Sequence, residues 1–172
     1  MLKPQDIVVL MKLAVAAPGW TFWQISRELQ MSPSAVHRSL ERAALAGLYR
    51  PAGKEVDRRA LLEFLAHGAK YVFPPAMLGE ARGFATAWAA PPLANRLSSS
   101  RENIPVWPHA MGDVRGIGLN PIHPIVPEAA RQSPPLKELL TLFDAIRIGN
   151  AREREIAIEE LAARLDVKAR ST

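Results

Sequence analysis

The chain has no cysteine at any of its 172 positions, which excludes a disulfide framework, a thiol nucleophile and a thiolate metal site. Aromatic residues are scarce, at 6%. No apolar run approaches the roughly 18 residues that a membrane helix needs, so no membrane partner is expected. The stretch from Ile7 to Ala17 is interrupted by Lys12 and preceded by Asp6. It therefore suits an amphipathic helix better than the apolar segment of a signal peptide, and the expected compartment is cytoplasmic. Histidine is sparse as well. His37, His67, His109 and His123 show no H-x-x-x-H spacing, and neither a Gly-rich phosphate loop nor G-x-S-x-G occurs. Asp113 follows His109 by four residues, but Gly112 and the prolines nearby place both in a loop. No metal or cofactor is implied, and the expectation is a binding protein, not an enzyme.

What is present is an apolar fraction of 48%, enough for an ordinary buried core in one medium domain or two small ones. The net charge is +5, and it is unevenly spread. Residues 1–70 hold ten Lys/Arg against six Asp/Glu, residues 71–135 five against four, and residues 136–172 seven against seven. A basic excess confined to one segment points to a polyanionic partner for that segment.

Composition divides the chain in three. Residues 1 to about 73 are helical in pattern. Residues 74 to about 135 hold most of the fifteen prolines, and from Leu136 to about Leu165 the pattern is helical again. In the first part, Pro4 suits a first helical turn, and Ile7, Leu10, Met11 and Ala14 fall on one face. Pro18-Gly19 stops this helix. A second is predicted from Thr21, as N-cap, to Gln30, with Phe22, Ile25 and Leu29 inward. Ser32 caps a third, Pro33 opens it, Val36, Leu40 and Ala43 form its stripe, and Gly47 ends it. Leu48–Arg50 and Glu55-Val56 are short extended segments joined by the turn residues Pro51–Lys54. Asp57 caps a fourth helix, Arg58 to about His67, burying Leu61, Leu62 and Leu65.

Val36-x-Arg38-x-Leu40-x-Arg42, followed by Gly47-Leu48, resembles the recognition helix of the MarR-type winged-helix transcription regulators. The resemblance covers residues 5 to 60. Ala43 stands where a larger aliphatic residue is usual, and the Pro51–Lys54 wing is short. The resemblance implies a mainly α protein whose N-terminal winged helix-turn-helix, residues 1–73, has a three-helix core and a short β-hairpin. It implies double-stranded DNA as partner, commonly bound by a homodimer.

The residues agree. A recognition helix docks by one apolar face and offers small or hydrogen-bonding residues to the major groove by the other. With Val36, Leu40 and Ala43 inward, the outward set is Ser34, Ala35, His37, Arg38, Glu41 and Arg42. Ala35 suits a thymine methyl and Arg38 a bidentate contact to guanine, while His37 suits a base edge or a phosphate. Arg42, Arg50, Lys54, Arg58 and Arg59 are expected nearer the DNA backbone, contributing affinity rather than sequence choice. Ser32 and Thr21 suit phosphate contacts as well as capping. The bland alternative is a helical bundle whose arginines pair with carboxylates on a solvated surface.

For residues 74–172 the expectation is an irregular Pro-rich region with short strands and two C-terminal helices, serving dimerisation or partner binding. Val106-Trp107 and Val114–Leu119 are the candidate strands, with Met111–Asp113 turning between them. Residues 98–103 read as an exposed loop. Asn120–Val126 and Pro127, broken by three prolines, are expected to cross the surface extended, since proline removes backbone donors. Trp88 and Trp107 are expected in the core, and with Phe84 they are the side chains that would line an apolar ligand pocket. The last helices are predicted at Pro135–Ile148 and Ala151–Leu165, the second opening on a solvated alternation from Arg152 to Glu155. The leading reading is a transcriptional regulator on a palindromic operator. The alternative is an antitoxin-like or adaptor protein whose C-terminal region holds a protein partner, a toxin or other enzyme.

Overall fold

The computed structural model describes residues 1–97 and 102–167, and the fold is mainly helical. In chain order, helix α1 (Pro4–Val15) is followed by α2 (Phe22–Glu28) and α3 (Pro33–Leu45). Two short strands, β1 (Tyr49–Arg50) and β2 (Glu55–Val56), precede α4 (Arg58–His67) and the single turn α5 (Ala69–Val72). Local chemistry explains the starts of the first four helices and the stop of α3. Pro4 opens α1, and the Asp6 carboxylate accepts the Lys3 N–H at 2.8 Å. The Thr21 hydroxyl accepts from Gln24 N and that of Ser32 from Ala35 N, while the Asp57 carboxylate accepts from Ala60 N. Each satisfies an N–H that a helix start leaves unpaired. Gly47, at φ +76°, turns the chain out of α3. β1 and β2 pair antiparallel, Tyr49 opposite Val56 and Arg50 opposite Glu55.

α1 is buried all round, which its predicted one-sided stripe does not anticipate. Every residue from Asp6 to Ala14 is buried, Val8 and Val9 as completely as Ile7 and Leu10. The reason lies far along the chain. α3 packs on one side of α1, and α7 (Pro134–Ile148) packs on it as well. A single hydrophobic cluster runs from Ile7 through Leu61, Trp107 and Phe143 to Leu165. Residues on both sides of position 73 belong to this one cluster.

The Pro-rich region is more regular than its composition suggests. A nine-residue strand, β3 (Met77–Ala85), lies antiparallel both to β4 (Pro105–Pro108) and to β5 (Val114–Leu119), and β4 and β5 run parallel to each other, closing a three-stranded barrel. The closure requires glycine: a Cβ on Gly83 would stand 1.9 Å from the Trp107 carbonyl oxygen, and one on Gly112 only 2.3 Å from Gly83 Cα. The segment expected to cross the surface extended is also corrected. Residues 120–125 form bends and a turn, and Val126-Pro127 open helix α6 (Val126–Gln132), because proline in a first helical turn removes no bonded N–H. Of the predicted loop 98–103, residues 98–101 lie outside the described residues.

α7 and α8 (Ala151–Arg164) pack against each other and, through α1 and α4, on their own chain. The charged opening of α8 is only partly solvated. Glu153 is buried, accepting the Asn150 N–H at 2.9 Å while Asn150 Oδ1 accepts the Glu153 N–H at 2.9 Å. This reciprocal capping box makes Glu153 a structural residue. Trp88 and Trp107 are buried, as expected. Trp107 Nε1 donates to the buried Asp144 at 2.6 Å, which also accepts from Thr86 and pairs with Arg147 at 2.7 Å.

Candidate nucleic-acid interface

α3 packs on α1, α2 and β1 through Val36, Leu40 and Ala43, which are buried, as is Ser39 between them. The face opposite carries Ser34, His37, Arg38 and Glu41, all exposed, with Ala35 half-buried beside them. Arg38 has no carboxylate within ion-pair distance among the described residues. His37 stands 3.6 Å from Glu41 and lies against the Phe22 ring, with centroids 5.7 Å apart. Ser34 and Ser32 share a hydroxyl contact at 3.2 Å at the start of the helix.

Arg42 does not belong to this face. Its guanidinium turns inward and grips Asp6 through two bonds, Nε to Oδ2 at 2.9 Å and Nη2 to Oδ1 at 2.6 Å, with a third contact to Ser39. Asp6 is fully buried. The carboxylate bond raises the Arg42 pKa above its ordinary value. Four residues after Arg38, Arg42 lies far enough round the helix to reach α1, so the outward placement read from the stripe is corrected here.

The remaining candidates divide by partner. Arg50 is two-thirds exposed and bridges to Asp57 at 2.5 Å. The Ala60 N–H, and then Arg50, hold the Asp57 carboxyl below its usual range. Arg59 is exposed. Arg58 is half-buried and donates to two main-chain carbonyls, Ala14 O at 2.9 Å and Leu165 O at 3.4 Å. Lys54, at the hairpin tip, has φ +50° and stands about 6 Å from the rings of both Trp20 and Phe22. Trp20 meets Phe22 edge-on at 5.5 Å. A strip from Lys54 over Trp20 and Phe22 to His37 therefore connects the hairpin tip to the exposed face of α3.

Thr21, Arg50, Lys54 and Arg58 also line one half-open cleft of about 750 Å³ between the α1–α2 turn and the hairpin. Trp20 and Phe22 were not legible as site residues. Phe22 reads as core from helical spacing, and it is half-buried because His37 and Trp20 lie over it. Trp23 and Arg27 form a further exposed pair on α2, with the guanidinium 4.7 Å over the ring. Among the described residues there is no group of three or more His, Asp or Glu arranged to hold a metal ion. No helix there is long and apolar enough to cross a membrane. Phe84 and Trp107 share a hollow of about 340 Å³ with Arg131 and Lys137, and Trp88 lies outside it.

No family model, curated protein or solved structure matches the chain.

Proposed function

We propose that the chain binds double-stranded DNA sequence-specifically through a winged helix-turn-helix, with α3 in the major groove and the β1–β2 hairpin beside it, and acts as a transcriptional regulator. The observation that carries this reading is the exposed face of α3, where Ser34, His37 and Arg38 project from the first half of the helix and Arg38 has no acidic partner among the described residues. Small and hydrogen-bonding residues there allow close approach to base edges, and a free guanidinium fits the two acceptors of guanine. Lys54, Arg50 and Arg59 supply backbone charge. Binding as a homodimer to a two-fold operator belongs to the same proposal.

The test is a salt series of binding to the DNA upstream of the chain's own gene, with random duplex as the reference. Arg38→Ala is expected to lose about 1–3 kcal/mol on the specific site and to relax selectivity, while Lys54→Ala weakens binding to all sequences alike. Equal retention of specific and random duplex by the native protein overturns the reading.

One observation favours the second reading, an adaptor that holds a protein partner. Four large apolar side chains, Tyr71, Val72, Met77 and Leu78, are exposed within one short stretch of chain, and clustered exposed apolar surface marks interaction sites. Co-purification of a neighbouring gene's product at fixed stoichiometry, lost on Met77→Ser with Leu78→Ser, is its expected outcome.

A further inference from the structure

The cleft between the α1–α2 turn and the hairpin holds an imbalance of charge. Asp57 is engaged by Arg50 at 2.5 Å and by the Ala60 N–H at 3.0 Å. The Glu55 side chain lies over Gly53, about 3.3 Å from where a Cβ would stand. Glu55 also lines the cleft and has no cation within ion-pair distance among the described residues, so Arg50, Lys54 and Arg58 exceed the two carboxylates by one charge. Arg58 is half-buried and satisfied only by carbonyl dipoles, with no carboxylate within 4 Å among the described residues. A guanidinium withdrawn from water without a counter-charge is unfavourable, and an anion in the cleft offsets it. Lys54, which lines the same cleft, is held over aromatic rings and has no acidic partner among the described residues. Trp20 contributes a half-exposed indole, and the Thr21 hydroxyl, which accepts from Gln24 N at 3.1 Å, keeps its own proton free to donate. The volume, about 750 Å³, falls in the range of small-molecule sites.

An aromatic side chain that lines a cleft together with two cations, neither with an acidic partner among the described residues, suits a planar ring that carries a phosphate. We propose that this cleft binds a free mononucleotide, with the base on the face of Trp20 and the phosphate between Lys54 and Arg58. The site is separate from the base-reading face of α3, and it adds a small-molecule ligand to the DNA reading without depending on it. An occupant would also touch the hairpin, so nucleotide and duplex are expected to compete for Lys54.

The test is calorimetric titration of the full chain with AMP, with adenosine as the phosphate-free control and Lys54→Ala, Arg58→Gln and Trp20→Leu as variants, each checked by thermal melting. Saturable one-site binding of AMP is expected. It should weaken about tenfold or more on loss of either cation, as when one member of a charge pair is truncated, and also in Trp20→Leu and with adenosine. Should Arg58→Gln fail to fold, Lys54→Ala and Trp20→Leu decide the matter. No saturable AMP binding by the native protein overturns the proposal, as does equal binding by the variants. Duplex binding that falls in Lys54→Ala while AMP is ignored also overturns it and assigns the cleft to the DNA backbone. The AMP titration contains no DNA and the operator assay no nucleotide, so either reading can fail alone.

Discussion

Arg38 and Arg42 show how two like residues one helical turn apart acquire opposite roles. Their spacing within Val36-x-Arg38-x-Leu40-x-Arg42 suggests one basic face, yet only Arg38 is exposed. Arg42 is claimed by Asp6, which lies 36 residues earlier, a pairing that no local pattern reveals. The two substitutions should therefore separate cleanly. Arg42→Met leaves a fully buried carboxylate without its counter-charge, and stability should fall by about 3–5 kcal/mol in urea unfolding. Arg38→Ala, at an exposed position with no ion pair among the described residues, should stay within about 0.5 kcal/mol of native. Any DNA-binding loss in Arg42→Met must be corrected for unfolded chain, whereas a loss in Arg38→Ala is a loss of contact.

At the scale of elements, whatever rests on local chemistry was legible: the caps Thr21, Ser32 and Asp57, the stop at Gly47 and the two-stranded hairpin. Elements fixed by distant partners were not. β3 alternates weakly and contains two glycines, of which Gly83 must admit the Trp107 carbonyl and the passage of Gly112. α6 hides behind Pro127, which reads as a breaker until it falls in a first turn. The caps make two predictions. Asn150→Ala, which removes the capping box of α8, should lower stability by about 1 kcal/mol in denaturant unfolding. Asp57 has a pKa in the fold below the usual carboxylate value, owing first to the Ala60 N–H and then to Arg50. Its contribution is therefore complete above roughly pH 4–5 and is lost as pH falls through the depressed value. Glu28, lowered by its bond from Lys12, adds to the same acid loss. Melting temperature should fall on acidification below about pH 4, and Asp57→Ala should show a shallower fall than native.

For the whole molecule, composition divides the chain in three, and one hydrophobic cluster draws residues from all three parts. The proline count changes at residue 74, but α1 is enclosed by α3 and α7 together. A fragment of residues 1–73 would expose the apolar surface of α1 that α7 covers. It is expected to be poorly folded or to associate, giving weak near-ultraviolet circular dichroism and no cooperative melt, while the full chain melts in one transition. A fragment that melts cooperatively as a monomer would show that α1 needs no cover from α7. The candidate interface is one third legible in the same sense: its exposed helix face follows from local spacing, while the Asp6 anchor and the aromatic strip from Lys54 to His37 depend on packing.

The enclosure of α1 has a consequence during synthesis. Roughly 120 residues separate the end of α1 from the start of α7, and at ~5–20 residues per second the ribosome needs on the order of ten seconds to make them. For that interval the earliest helix of the fold is present without its final cover, and its apolar side is open to chaperones and to neighbouring nascent chains. A truncated translation product ending before residue 134 would keep that side open permanently.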